Sequence, residues 1–233
     1  MTESRPHTMK VFDEELDSLR ATVSQIGGLA EMGFREAMRC LVYNDLEGAA
    51  RIVADDRRID ALEASVEQQA LEMIALRAPM ADDLRDLVAA LKIAGLIERI
   101  GDYAKNIAKR VPQFNGFEEG QPAALLQEMA QTASWLVQSS LDAFVRRDPE
   151  AARLVCEGDK TVDVFYNSMF RALLAYMAEH PGNLGPTVHL LFIAKNIERV
   201  GDHATNIAEM VYFAATGERL EERVRGPDPT LSE

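Results

Sequence analysis

The amino-acid sequence predicts an all-α fold of two tandem, similar three-helix bundles, with six long antiparallel helices in all. Residues that favour helices dominate the composition, and aromatic residues make up only 6% of it. No segment combines β-branched residues with the two-residue period of a strand. The sequence also repeats itself. The segment LKIAGLIERIGDYAKNIAKRV, from Leu91 to Val111, aligns without a gap to LFIAKNIERVGDHATNIAEMV, from Leu191 to Val211.

A second and weaker match supports the repeat. DRRID, from Asp56 to Asp60, pairs with DKTVD, from Asp159 to Asp163, and both segments precede the stronger match of their own half. The halves therefore repeat in the same order, which indicates an internal duplication.

Each half is predicted to contain three helices. In the first half an apolar stripe at helical spacing stops at the Asn44–Asp45 turn, Asp45 can cap the second helix, and Pro79 follows its end. In the second half the same signals are Asp148 before a proline and a Pro-Gly-Asn break. The predicted helices run from Phe12 to about Tyr43, from Asp45 to about Arg77, from near Met80 to before Pro112, from Ala123 to Arg146, from Asp148 to the break at Pro181, and from about Pro186 to Thr216.

These signals divide the chain into four parts. The first repeat is expected over residues 1–114 and the second over residues 123–216. Residues 115–122, rich in Gly, Asn and Pro, form the expected linker, and residues 217–233 form a charged tail expected to be flexible.

Charge and hydropathy exclude several classes of protein. The formal net charge is −13, and such a surface repels nucleic acid and anionic lipid. No apolar run is long enough to cross a bilayer, and the N-terminus lacks the apolar region of a signal peptide. We therefore expect an intracellular protein that is neither secreted nor inserted in a membrane, and peripheral attachment to a membrane protein stays open.

The repeated segment carries an acidic signature, E-R-x-G-D-x-x-x-N, in each half. Its acidic and amide residues are four apart, and on a helix each step of four rotates by only about 40°. The three side chains therefore form one line, on the side of the helix opposite its apolar stripe. The signature residues are Glu98, Arg99, Gly101, Asp102 and Asn106 in the first half, and Glu198, Arg199, Gly201, Asp202 and Asn206 in the second.

A second pair of acids precedes each signature: Asp56 and Asp60 in the first half, Asp159 and Asp163 in the second. If the second and third helices of a half are neighbours, four acids converge and repel one another, and a cation relieves that repulsion. Carboxylate oxygens suit hard divalent cations, and such clusters also hold iron or zinc. The alternative is that these acids are simply solvated or paired with nearby arginines.

Gly101 and Gly201 interrupt helices at matching positions, where glycine costs about 1 kcal/mol relative to alanine. Close packing of a neighbour explains this best, and the alternative is the shell of a bound metal.

The sequence offers no catalytic machinery. It contains no E-x-x-H motif of di-iron bundles, no phosphate-binding glycine loop and no nucleophile motif, and its four histidines are scattered. We expect no catalytic residue, no enzymatic activity and no organic cofactor.

The paired segments ERIGDYAKNIA and ERVGDHATNIA resemble the signature of the PhoU family of bacterial phosphate-signalling regulators. The resemblance runs from about Phe12 to Thr216 and includes the opening helix FDEELDSLR and the acid pairs. It implies a non-enzymatic negative regulator of the phosphate-starvation response and of phosphate uptake. Such a regulator couples the phosphate-specific ABC transporter to the phosphate sensor histidine kinase. The implied partners are the transporter ATPase and that kinase, and a homodimer is expected. The resemblance also implies a cytoplasmic protein that reaches the membrane only peripherally, through these partners.

The resemblance also implies a metal site in each half, since some members of the family bind metal clusters. The candidate ligands are Asp56, Asp60, Glu98, Asp102, Asp159, Asp163, Glu198 and Asp202. The competing hypothesis is a metal-binding helical bundle with a storage or metal-dependent enzymatic role on the same carboxylates. One departure is local to the first half, where the position of Arg85 is taken by Gly185 in the second.

Overall fold

A computed structural model describes residues 4–114, 116–117 and 121–220, except for the side chains of residues 4–9 and of Asp159. Within these residues there are six long helices, two short 3-10 turns and no strand. This confirms the all-α fold class and the two tandem three-helix bundles. The helices are α1 (Ser4–Tyr43), α2 (Leu46–Arg77), α3 (Asp82–Ala108), α4 (Ala123–Arg146), α5 (Pro149–Glu179) and α6 (Leu184–Thr216).

Corresponding turns join the first two helices of each half. Asn44 and Arg147 end α1 and α4 in the left-handed conformation, with φ of 53° and 52°. Asp45 then caps α2 by accepting from Gly48 N at 2.8 Å, and Asp148 caps α5 by accepting from two backbone N–H groups at 3.0 Å. The side-chain oxygen satisfies N–H groups that have no partner within the helix, which fixes where each helix begins.

The observed bounds differ from the predicted ones mainly at helix beginnings. The first helix begins at Ser4 rather than near Phe12, because a helix can extend beyond the apolar stripe that buries it. The last helix begins at Leu184, directly after a 3-10 turn at Pro181–Asn183. Parts of the predicted linker, and the predicted tail from residue 221 onward, lie outside the described residues.

The two bundles share one hydrophobic core. Within each half the three helices pack on one another, and α3 also packs along α6 while α1 contacts α4. The apolar stripes of α3 and α6 are fully buried, as the signature's spacing predicts: Ile97, Ile100, Ala104 and Ile107 in α3, and Ile197, Val200, Ala204 and Ile207 in α6. The acidic line of each signature therefore lies at the edge of the core.

None of the helices in the described residues is both long enough and apolar enough to cross a lipid bilayer.

Candidate functional site

Gly101 and Gly201 let the second helix of each half pack closely on the third. A Cβ added at Gly101 would lie 2.8 Å from Ile59 Cδ1, and one at Gly201 would lie 3.3 Å from Val162 Cγ1. Ile59 and Val162 are corresponding residues of α2 and α5. Side-chain packing thus accounts for both glycines, as the simpler of the two explanations predicts. This close approach also brings the acids of α2 beside those of α3.

The first acidic cluster consists of Asp56, Asp60, Glu63, Glu98 and Asp102. Burial raises the pKa of Glu98, and repulsion by the other four carboxylates raises it further. Burial likewise raises the pKa of Glu63, and the charges of Glu67 and Asp60 add to that rise. The acids of α2 and α3 are therefore close enough to repel one another. Asp56 is the most enclosed of those on α2, with only 7% of its surface exposed.

Lys105 lies inside the first acidic cluster. Its Nζ donates to Asp102 Oδ1 at 2.7 Å and to Asp56 Oδ2, so one ammonium links α3 to α2. These two hydrogen bonds raise the pKa of Lys105, so the side chain is charged at neutral pH. As it stands, this arrangement does not fit a second cation between Asp56 and Asp102.

The second acidic cluster consists of Asp163, Glu198 and Asp202; the side chain of Asp159 lies outside the described residues. Burial raises the pKa of Glu198, a hydrogen bond from Lys195 Nζ at 2.8 Å lowers it, and Asp202 and Asp163 raise it again. The Glu198 side chain is only 12% exposed. Its Oε2 is buried and accepts no hydrogen bond from the described residues. A buried carboxylate oxygen without a donor, beside two further carboxylates, fits the donor set of a hard cation.

The two signatures meet at the crossing of α3 and α6. Tyr103 and His203 hold the same position in the two repeats, and their rings lie edge to face. Arg199 Cζ lies 5.9 Å from the centre of the Tyr103 ring. His203 Nδ1 donates to Arg199 O at 3.0 Å, while His203 Nε2 is buried and has no hydrogen-bond partner among the described residues. Burial therefore lowers the pKa of His203, which stays neutral.

The remaining signature residues lie along the same crossing. Arg99 and Asn206 line one open groove between α3 and α6, with a volume of about 570 Å³. Glu63 and Glu67 of α2 line it as well, so the groove joins the first acidic cluster to the second half. Asn106 is half-buried on α3. The structure thus brings the signatures together across the two halves, which the sequence pattern did not indicate.

Asp86 is a buried acid that our sequence reasoning missed. Its Oδ2 accepts from Arg20 Nη2 at 2.8 Å and from Arg147 Nη2 at 2.6 Å, which joins α1, α3 and the end of α4. A signal was present in the sequence, because Asp86 falls on the apolar stripe of α3 together with Ala90 and Ile93. An acid on such a stripe needs a buried partner.

A third group of potential ligands lies at the junction of α1 and α2. Ligand atoms of Glu36, Cys40 and Asp45 all lie within 4.8 Å of one another. Arg39 already binds both carboxylates, at 2.6 Å and 2.5 Å. Burial also raises the pKa of the Cys40 thiol, which favours its neutral form. These residues therefore form an ion-paired junction between α1 and α2.

A shallow groove between α1 and α4, which we call the α1–α4 groove, carries exposed aromatic residues. Its volume is about 510 Å³, and its walls include Tyr43 from α1 and Trp135 from α4. Tyr43 is 73% exposed, and about half of Trp135 is exposed. Exposed tyrosine and tryptophan are enriched where proteins bind one another.

Comparison with known proteins gives concordant matches over both halves. The family model described as PhoU domain matches residues 23–111 and again residues 126–211. A protein of Zymomonas mobilis named phosphate-specific transport system accessory protein PhoU homolog is 52% identical over 227 residues, which cover 97% of this chain and 96% of that protein. A Rhizobium meliloti protein of the same name is 45% identical, over 92% of this chain and 91% of its own length.

Solved structures match as well. The crystal structure of PhoU from Pseudomonas aeruginosa superposes with a TM-score of 0.84 at 32% identity, covering 89% of this chain and all of that one. The phosphate transport system regulatory protein PhoU from Streptococcus pneumoniae gives a TM-score of 0.83 at 26% identity, covering 91% of this chain and all of that one. Both repeats and their arrangement are thus shared along nearly the whole length.

Proposed function

We propose that this chain, which belongs to the PhoU family, is a non-enzymatic negative regulator of the phosphate-starvation response and of phosphate uptake. The observation that carries the proposal is the match of both repeats, over nearly the full length, to proteins named as accessory to or regulatory of phosphate transport. The chain would couple the phosphate-specific ABC transporter to the phosphate sensor histidine kinase.

The chemistry of the described site favours binding over reaction. Each acidic cluster contains a lysine that neutralises part of its charge: Lys105 in the first and Lys195 in the second. Glu63, Glu98 and Glu198 have raised pKa values, but burial comes first among the causes. The proposed role is therefore recognition of partners by charged and aromatic surfaces.

The partners we propose are the ATPase subunit of the transporter and the cytoplasmic part of the kinase. The α1–α4 groove offers exposed aromatic side chains for one of them. The clusters beside the α3–α6 crossing offer negative charge for a basic surface. The proposed location is the cytoplasm, with attachment to the membrane only through these partners, and the proposed assembly is a homodimer.

We further propose that the second acidic cluster is where a divalent cation would be held. Glu198, Asp202 and Asp163 would supply the oxygens, and a bound cation would offset the repulsion that now opposes ionisation of Glu198. The test is native mass spectrometry of the full chain with Mn²⁺. Asp202→Asn should lose the bound ion while leaving the mass of the assembly unchanged.

Deletion of the gene tests the regulatory role. We expect a reporter driven by a phosphate-starvation promoter to stay on in phosphate-rich medium, and the unmodified chain expressed from a plasmid to switch it off. An affinity-tagged chain should also retain the transporter ATPase from detergent-solubilised membranes. A reporter that remains repressed without the gene would contradict the proposed function, whatever metal the chain binds.

A further inference from the structure

Lys105 brings a fixed positive charge into the first acidic cluster. The ammonium is bound to one carboxylate of its own helix, Asp102, and to one of the neighbouring helix, Asp56. About four-fifths of the Lys105 side chain is covered, and Asp56 is buried. An exposed lysine samples many positions in water, whereas this one is held by two ion pairs from two helices.

The Lys105 ammonium stands where a cation shared by Asp56 and Asp102 would have to stand. Hard divalent cations bind carboxylate oxygens at about 2.0–2.6 Å. The ammonium already lies within hydrogen-bond distance of one oxygen of each residue. A divalent ion on the same two oxygens would repel the ammonium strongly in this enclosed place. Binding of Lys105 and binding of a divalent ion between Asp56 and Asp102 therefore exclude each other.

The second half carries a different residue at this position. Thr205 corresponds to Lys105, and its hydroxyl donates to Gly201 O at 3.1 Å within its own helix. The lysine that binds the signature of the second half is Lys195, which corresponds to Gly95 and binds Glu198 three residues further along the same helix. The lysine that binds the signature therefore lies at different places in the two halves. Lys105 lies near the C-terminal end of the signature in α3, whereas Lys195 precedes the first acid of the signature in α6.

This difference changes which carboxylates remain available to a mobile cation. In the first half the lysine joins the acid of α2 to that of α3, at the junction of the two helices. In the second half the lysine binds the first acid of the signature, and the residue aligned with Lys105 carries no charge. The acid residues are repeated in the two halves, but their counter-charges are not.

We propose that Lys105 is the resident cation of the first acidic cluster, taking the place of a divalent ion between Asp56 and Asp102. Lys105 would then determine that no divalent ion binds between Asp56 and Asp102. Its two ion pairs would hold α2 and α3 together without a metal. The proposal concerns the first half alone, so it stands or falls independently of the regulatory role and of any ion in the second cluster.

Substitution of the lysine tests the proposal directly. Lys105→Thr copies the residue of the second half, and Lys92→Thr, at an exposed position of the same helix, is the matched control. Titration of the full chain with Mn²⁺ by calorimetry should show one additional site in Lys105→Thr, or about tenfold tighter binding or more, with no gain in Lys92→Thr. Adding Asp102→Asn to Lys105→Thr should abolish the gain. A Lys105→Thr chain that binds Mn²⁺ like the control would overturn the proposal.

The unmodified chain provides a second measurement that does not depend on whether the variant folds. Crystals grown with MnCl₂ should show no anomalous scattering peak between Asp56 and Asp102, and the Lys105 side chain should have ordered density there. A manganese peak bridging these two carboxylates would overturn the proposal.

Discussion

Tyr103 and His203 meet edge to face where α3 and α6 cross, with ring centroids 5.3 Å apart and planes at 86°. They hold matching positions in the two repeats, so α3 and α6 contact each other through the same position of their signatures. Beyond the end of α3, the Arg110 guanidinium carbon lies 4.5 Å from the centre of the Phe192 ring of α6. The contact between the two halves thus includes both matching and non-matching positions of the repeats.

The burial of His203 predicts a pH dependence of folding. The folded chain holds this pKa below its ordinary value, whereas in the unfolded chain the imidazole titrates near 6.5. As the pH falls below about 6.5, the unfolded state takes up a proton that the folded state refuses, so stability declines. His203→Phe keeps an aromatic ring beside Tyr103 and should flatten that decline. Urea unfolding at pH 5.5 and pH 7.5 measures it, and equal declines in both chains would contradict the expectation.

Gly101 should resist substitution by alanine because of Ile59. Alanine gains about 1 kcal/mol of helix propensity, but its Cβ would lie 2.8 Å from Ile59 Cδ1, and such overpacking costs about 1–3 kcal/mol. We expect Gly101→Ala to lower the free energy of unfolding. Ile59→Val removes Cδ1 and should restore most of the loss, which a double-mutant cycle by urea unfolding detects.

Gly28 provides the matched control for that substitution. It lies within α1, and a Cβ built there meets no atom within 4 Å. Gly28→Ala should therefore stabilise the chain by up to about 1 kcal/mol. If both alanine variants moved stability in the same direction and by the same amount, packing on Ile59 would not be the reason for Gly101.

Asp86 should contribute far more to the free energy of unfolding than Asp17, the other acid that pairs with Arg20. Both pair with Arg20, but Asp86 is 7% exposed and also binds Arg147, whereas Asp17 is 78% exposed and lies 3.6 Å from the guanidinium. Asp86→Ala should lower the free energy of unfolding by more than about 2 kcal/mol, because it leaves two arginines without their shared carboxylate. Asp17→Ala should cost less than about 1 kcal/mol. Comparable losses in the two variants would refute this ranking.

The α1–α4 groove should contribute to partner binding through Tyr43. Tyr43→Ala removes an exposed ring at the end of α1 and should leave thermal stability unchanged within about 0.5 kcal/mol. We expect it to weaken retention of the transporter ATPase by at least about fivefold, as the loss of an aromatic contact does at an interface. Leu76→Ala, an equally exposed apolar residue at the end of α2, is the control and should retain the ATPase fully.

The features that local chemistry determines could be read from the sequence. Asp45 and Asp148 begin their helices as expected, because an N-cap depends on residues only a few positions apart. The buried stripes of α3 and α6 follow from helical periodicity. The convergence of acids on Glu98 follows once α2 and α3 are neighbours.

The counter-charges could not be read in the same way. Lys105 reaches Asp56 across 49 positions of the chain, and Arg147 reaches Asp86 across 61. Both contacts depend on how far one helix is rotated and shifted along another, which periodicity does not specify. The metal ligands carried over from the family pattern stay a prediction for the same reason, since the pattern gives the acids and not the cations beside them.

The two repeats carry their paired lysine at different positions. Lys105 aligns with Thr205, and Lys195 aligns with Gly95. This difference has a consequence for how such a molecule can evolve. A symmetric pair of identical subunits must change both sides of its axis with every mutation. A chain that encodes both sides can alter one and conserve the other. Fusion of the two repeats thus permits the halves to diverge. One half can retain a lysine at a given position, as at Lys105, while the other half acquires an uncharged residue there, as at Thr205.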